Sequence, residues 1–224
     1  MHIFDSILGY RSPARLARNA YGSRLSFLGL AVFVGMLIFP LPARAAQKTC
    51  AFSLVEISDI QDAPSNTTGE EVEDVDMFSE TRTEFPNACC TTGLGPCLGI
   101  AVINKRTRVV HLGHFVAVDE EFFGNQITNL VAKARSESES LSELQVVLTG
   151  MVVTGLHDTA TGREYDLGGR ARVDRALVAS GISKKQILDK RSTQPEDASY
   201  ELLVDTARRM IFIARVQRRF PNGT

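Results

Sequence analysis

One cysteine stands where a thiol could do chemistry. Cys97 follows Gly93-Leu94-Gly95-Pro96 and opens an apolar run, LGIAVIN, at 98–104. Glycines in that position let the backbone approach a ligand and can turn amide N–H groups outward. Outward N–H groups beside a nucleophile can hold an oxyanion. A thiol also needs a neighbouring base to become a thiolate at neutral pH. The next apolar run, RVVHLGHFVAV at 108–118, supplies two histidines, His111 and His114.

His111 and His114 are three positions apart, so on one strand they face opposite sides, and one of them at most faces a cleft beside Cys97. The same spacing argues against both binding one metal ion. In most proteins a cysteine beside glycines is an inert core thiol, and a histidine on a half-buried strand is structural. These residue types alone leave the function open.

The elements that must position these residues follow from periodicity. LGIAVIN and RVVHLGHFVAV, joined by Lys105-Arg106-Thr107, form a hairpin. Asp119 is placed to cap a helix whose apolar residues, Phe123, Ile127, Leu130, Val131 and Ala134, recur at helical spacing. LQVVLTGMVVTG at 144–155 is a buried strand. A second helix covers about residues 170–180, with Val173, Ala176 and Leu177 on one face and Gly181 as its stop. Residues 199–205 and 210–216 form a terminal hairpin. Residues 51–60 have the character of an edge strand, and the acidic stretch 61–87 reads as a solvated loop. The fold class is α+β: a layered fold with mixed β-sheets covered by a few helices.

The formal net charge of −1 gives no electrostatic footprint for a nucleic-acid partner. Four cysteines are too few for a disulfide scaffold in 224 residues and are not spaced as a zinc site. In an oxidising compartment Cys50 could bridge to Cys89 or Cys90, and the sequence does not choose between them. Residues 1–45 run from Arg11, Arg15, Arg18 and Arg24 through the apolar stretch 25–41 to Ala43-Arg44-Ala45. That order is the order of a secretory signal, with cleavage after Ala45. The alternative is an uncleaved inner-membrane anchor. The expected location is therefore periplasmic or secreted, with membrane attachment only if the leader is retained. The expected divisions are 1–45 as leader, 46–87 as N-terminal strand and acidic loop, 88–217 as the working domain and 218–224 as a tail.

Thr91-x-Gly93-Leu94-Gly95-x-Cys97, with His114 seventeen residues after the cysteine, resembles the signature of the CheD family of chemoreceptor glutamine deamidases. Leu148-Thr149-Gly150, Leu167-Gly168-Gly169-Arg170 and Ser199-Tyr200-Glu201 are similar to later family motifs in the same order. The likeness spans roughly 88–217 and extends more distantly to the catalytic core of the cytotoxic necrotizing factors. Pro96 replaces the family's serine, Val116-Ala117-Val118 stand where it has Leu-Pro, and its last glycine-rich segment is missing.

The resemblance implies a CheD-like fold and an exported protein-glutamine deamidase. Cys97 would be the nucleophile, His114 the base and Thr91 the residue that orients the imidazole. Thr92, on the other face of an extended segment, is the alternative to Thr91. The N–H groups of Gly95–Cys97 would hold the oxyanion. The implied partner is a protein substrate presenting a glutamine side chain, and no metal or organic cofactor is needed. The alternative is a non-catalytic CheD-like module that binds a partner protein.

Overall fold

The computed structural model describes residues 51–63, 71–116, 120–152, 160–192 and 198–217. All of them belong to the unit Ala46–Thr224. The leader, Cys50, the cap expected at Asp119 and the tail lie outside the described residues.

Two five-stranded mixed sheets and two long helices make up the described fold. The first sheet contains β1 (Ser53–Ile57), β2 (Val72–Asp74), β4 (Ala88–Leu94), β9 (Ala198–Asp205) and β10 (Met210–Gln217), in the order β1-β10-β9-β4-β2. The second contains β3 (Glu80–Thr83), β5 (Leu98–Asn104), β6 (Val110–Phe115), β7 (Leu144–Gly150) and β8 (Ile187–Arg191), in the order β3-β6-β5-β7-β8. The helices are α1 (Glu120–Ser136) and α2 (Ala160–Ala179).

Strand alternation explains the layering. On β5, Ala101 and Ile103 point towards the first sheet and pack with Leu202, Val204, Ile211 and Ile213. Ile100 and Val102 point the other way, onto Phe123, Ile127 and Leu130 of α1 and Val173 and Leu177 of α2. Successive side chains of a strand leave on opposite faces, so a continuous apolar run fits only a strand covered on both sides. The seven residues of β5 are all buried. The order is sheet, sheet, helices, with the second sheet in the middle. This is the α+β layered arrangement expected from the sequence.

Several boundaries differ from expectation. The acidic stretch 61–87 is not only loop: β2 pairs with β4 and β3 pairs with β6. Their side chains are mostly exposed, so neither strand carries an apolar pattern. β6 is confined to Val110–Phe115. β7 ends at Gly150, where Gly150 and Met151 take φ of +78° and +50°. α2 begins ten residues before the expected start, through Gly168 and Gly169, which intrinsic propensity disfavours. β8 joins the edge of the second sheet parallel to β7. Its alternation is blurred by charges, which hides the strand in the sequence.

Candidate functional site

Thr91, Cys97 and His114 all face the layer between the sheets. Thr91 stands opposite Leu202, whose side chain belongs to that layer. His114 stands opposite Gly99 of β5, and Cys97, just before the strand begins, packs in the cluster between the sheets. Directly opposed residues of antiparallel strands share a face, and diagonal neighbours lie close enough for side chains to interact. Cys97 therefore sits at the end of the β5–β6 pair where His114 lies. It is 6% exposed and His114 is 5% exposed.

The imidazole is fixed from one side. Thr91 Oγ1 lies 2.9 Å from His114 Nδ1 and donates to the Val75 carbonyl at 2.8 Å. A hydroxyl has one proton to give. With that proton on Val75 O, the bond to the ring runs from Nδ1–H to Oγ1, and Nε2 carries the lone pair. Among the described residues Nε2 of His114 is buried without a hydrogen-bond partner. Burial holds the His114 pKa below its ordinary value of 6.5, against the opposing pull of Val75 O, Asp74 and Asp76. The ring is neutral at pH 7, as a general base must be.

The backbone of His114 is gripped by the turn before β3. Phe78 N–H donates to His114 O at 2.8 Å, and His114 N–H donates to Ser79 O at 3.0 Å. Phe78 has φ +67°, a left-handed conformation that a bulky residue adopts only under constraint. The acidic stretch therefore carries the clamp on His114, through Val75, Phe78 and Ser79. Backbone contacts of this kind leave no side-chain signature, so this segment gave no sign of its part in the site.

Cys97 is held through its carbonyl. Met151 N–H donates to Cys97 O at 2.7 Å and Val152 N–H to Gly95 O at 2.8 Å. A Cβ on Gly150 would lie 2.4 Å from Cys97 O, so only glycine allows this approach. Gly93, at φ +69°, sits within the irregular end of β4. The expectation that the N–H of Gly95 points outward is corrected: it donates to Gly93 O at 2.8 Å. Pro96 has no N–H to offer.

The other candidate residues fall elsewhere. His111 faces the helices, with Nε2 3.4 Å from Glu137 Oε1, and burial lowers its pKa. Thr92 is exposed. Cys89 and Cys90 are in no disulfide. Burial pushes the Cys89 thiol up to about 12, and burial with Asp74 does the same for Cys90. No group of three or more metal-ligating side chains is found among the described residues. No described helix is long and apolar enough to cross a membrane.

No family model and no curated protein matches the chain. It does match solved structures. One is the hypothetical protein YfiH of Bacillus licheniformis, at 13% identity and TM-score 0.38, covering 52% of this chain and 51% of that one. Another is YlmD of Geobacillus stearothermophilus, at 11% identity and TM-score 0.35, covering 55% and 60%. A third is the Neisseria meningitidis protein NMB0706, of family DUF152, at 8% identity and TM-score 0.37, covering 57% and 65%. The chain thus spans between half and two thirds of the length of these proteins. They are YfiH, YlmD and DUF152 proteins rather than CheD proteins. This corrects the resemblance to CheD. The exported glutamine deamidase and the non-catalytic CheD-like module inferred from that resemblance are set aside with it.

Proposed function

We propose that the domain is a hydrolase that works through a cysteine nucleophile, with Cys97 attacking a carbonyl carbon, His114 moving the proton and Thr91 orienting the ring. One observation carries the reading. The imidazole is tied down at Nδ1 by Thr91 and, among the described residues, keeps Nε2 buried and unpartnered in the layer where Cys97 packs. A buried polar atom left without a partner calls for an explanation, and a base waiting for a thiol proton provides one.

The chemistry runs in two halves. The thiol proton passes to His114 Nε2 and Sγ bonds to the carbonyl carbon. The leaving group departs with the proton from the imidazolium, which leaves a thioester on Cys97. Water, deprotonated by His114, then attacks the thioester carbon, and the carboxylic acid leaves as Sγ regains its proton.

An activated ester, p-nitrophenyl acetate, tests this with the full chain. A burst of p-nitrophenolate and a mass gain of one acetyl group on the peptide containing Cys97 are expected. Cys97→Ser abolishes both. An acetyl group carried elsewhere, or release unchanged in Cys97→Ser, contradicts the reading. Export is proposed on the order of basic, apolar and small residues in 1–45. N-terminal sequencing of the protein recovered from an exported fraction checks it, with a start at Ala46 expected.

A further inference from the structure

The row of residues that crosses the second sheet at His114 continues on the other side of Gly99. Gly99 pairs with His114 on β6 and with Thr149 on β7. The three residues share the face that looks into the layer between the sheets. Thr149 is fully buried, and among the described residues its Oγ1 has no hydrogen-bond partner. Two polar atoms without a partner among the described residues, His114 Nε2 and Thr149 Oγ1, therefore flank one glycine in the layer between the sheets. A Cβ on Gly99 would meet Leu94 Cδ1 at 2.5 Å and the Thr149 methyl at 3.2 Å. Leu94 fills the space above the glycine.

A buried threonine hydroxyl left unbonded costs about 1–3 kcal/mol, and valine would fill the same volume without that cost. A strand selected only for packing would carry valine here, as β7 does at Val146 and Val147. Cys97 lies two residues before Gly99, just beyond the paired ends of β6 and β7, in the cluster between the sheets, with its carbonyl bonded by Met151 N–H. We propose that Thr149 is a positioning residue for the nucleophile: its hydroxyl donates a hydrogen bond to Cys97 Sγ once the thiolate has formed. The inference rests on the reading of Cys97 and His114 as nucleophile and base.

The thiol proton moves to His114 Nε2, and the new negative charge on sulfur accepts the O–H of Thr149, which keeps its proton. Hydrogen bonds to an ionised partner are the strong ones, so the bond forms in the reactive state and is absent from the thiol state. The charged groups around the row do not substitute for it. Asp74 and Asp76 act on His114 from the β2–β3 segment. Lys190, beside Thr149 on β8, is paired with Glu56 at 2.8 Å. Arg191 is engaged by Asp189 and Asp174.

The test is the rate of Cys97 alkylation by iodoacetamide against pH, read by mass mapping of the full chain. Thr149→Val should move the midpoint for Cys97 up by about one pH unit, and Thr149→Ser should restore it. Thr149→Ala removes the hydroxyl without adding a methyl group and should match Thr149→Val, whichever variant folds better by thermal melting. An unmoved midpoint in Thr149→Val or Thr149→Ala overturns the role of Thr149. So does a Thr149→Ser variant that behaves like Thr149→Val, because packing would then be the cause. His114→Ala separates this from failure of the underlying reading. If wild-type Cys97 does not depend on His114, the nucleophile assignment falls; if it does and Thr149 changes nothing, only the present inference falls.

Discussion

Thr91 Oγ1 and His114 Nδ1 meet at 2.9 Å, across the two sheets, with the hydroxyl proton directed at the Val75 carbonyl. The contact fixes the ring's tautomer as well as its place. Thr91→Val removes both bonds while nearly conserving volume. Loss of one such bond is worth about 1 kcal/mol or somewhat more, so ester hydrolysis should fall about tenfold, and Thr91→Ser should recover most of it. Steady-state rates on p-nitrophenyl acetate measure this. A Thr91→Val variant as active as wild type would remove the orienting role.

Gly150→Ala should be among the most damaging small substitutions. It places a Cβ 2.4 Å from Cys97 O at a φ of +78°. The left-handed conformation alone costs about 1–2 kcal/mol in a residue with a Cβ, and the backbone contact adds to it. A loss of about 2–4 kcal/mol in urea unfolding is expected, with Cys97 displaced in any protein that folds. Gly93→Ala makes the comparison: its φ is +69° but no atom lies within 4 Å of the added carbon. It should lose only the conformational part.

Arg191 fastens the edge of the second sheet to α2. Its side chain is 5% exposed and bonds Asp189 at 2.5 Å and Asp174 at 2.8 Å. Arg170 reaches the carbonyls of Met151 and Ser192 from the same helix. Met151 in turn holds Cys97 O, so this network bears on the nucleophile at one remove. Removing one partner of a buried pair costs about 3–5 kcal/mol when the other charge stays buried. Asp174 and Asp189 are about half exposed and can be hydrated, so Arg191→Met should cost less, about 1–3 kcal/mol. Chemical denaturation reads the change.

Stability should fall in two stages as the solution is acidified. His111 and His114 are both held below 6.5 by burial. Between that value and their folded pKa the unfolded chain binds more protons than the folded one. Their contribution is therefore complete above pH 6.5 and is lost as pH falls below it. Glu137 is held below 4.5, chiefly by its bond to Arg82, so a second loss follows as pH drops through that range. Thermal melts from pH 8 to about pH 2 should show both stages, and His111→Phe should weaken the first. A melting temperature constant between pH 7 and pH 5 would contradict the buried, neutral histidines.

The parts that were legible in the sequence are those where one residue type at one period has one physical meaning. The run Leu98–Asn104 became a fully buried strand, and the five apolar positions of α1 all became core. The three-residue offset of His111 and His114 put one against Glu137 and the other against Thr91. Illegible were the elements held by backbone bonds with polar side chains. β2, β3 and β8 expose or pair their charges, so they carry no apolar alternation. The clamp of Phe78 and Ser79 on His114 is backbone to backbone. Thr149 passed as part of a buried strand because an unpaired hydroxyl shows only when its neighbours are known. The resemblance to CheD rested on a short motif of glycines, a cysteine and a histidine, which fixes a local hairpin and little more.

The central claim is that Cys97 is the reactive thiol because His114 activates it. Brief alkylation with limiting iodoacetamide at pH 6–7, followed by mass mapping, tests it most directly. The account predicts label on Cys97, little on Cys89 and Cys90, whose thiols are pushed up to about 12 by burial, and loss of the Cys97 label in a folded His114→Ala variant. Label spread evenly over the three, or a Cys97 that resists reagent while Cys90 accepts it, would contradict the account.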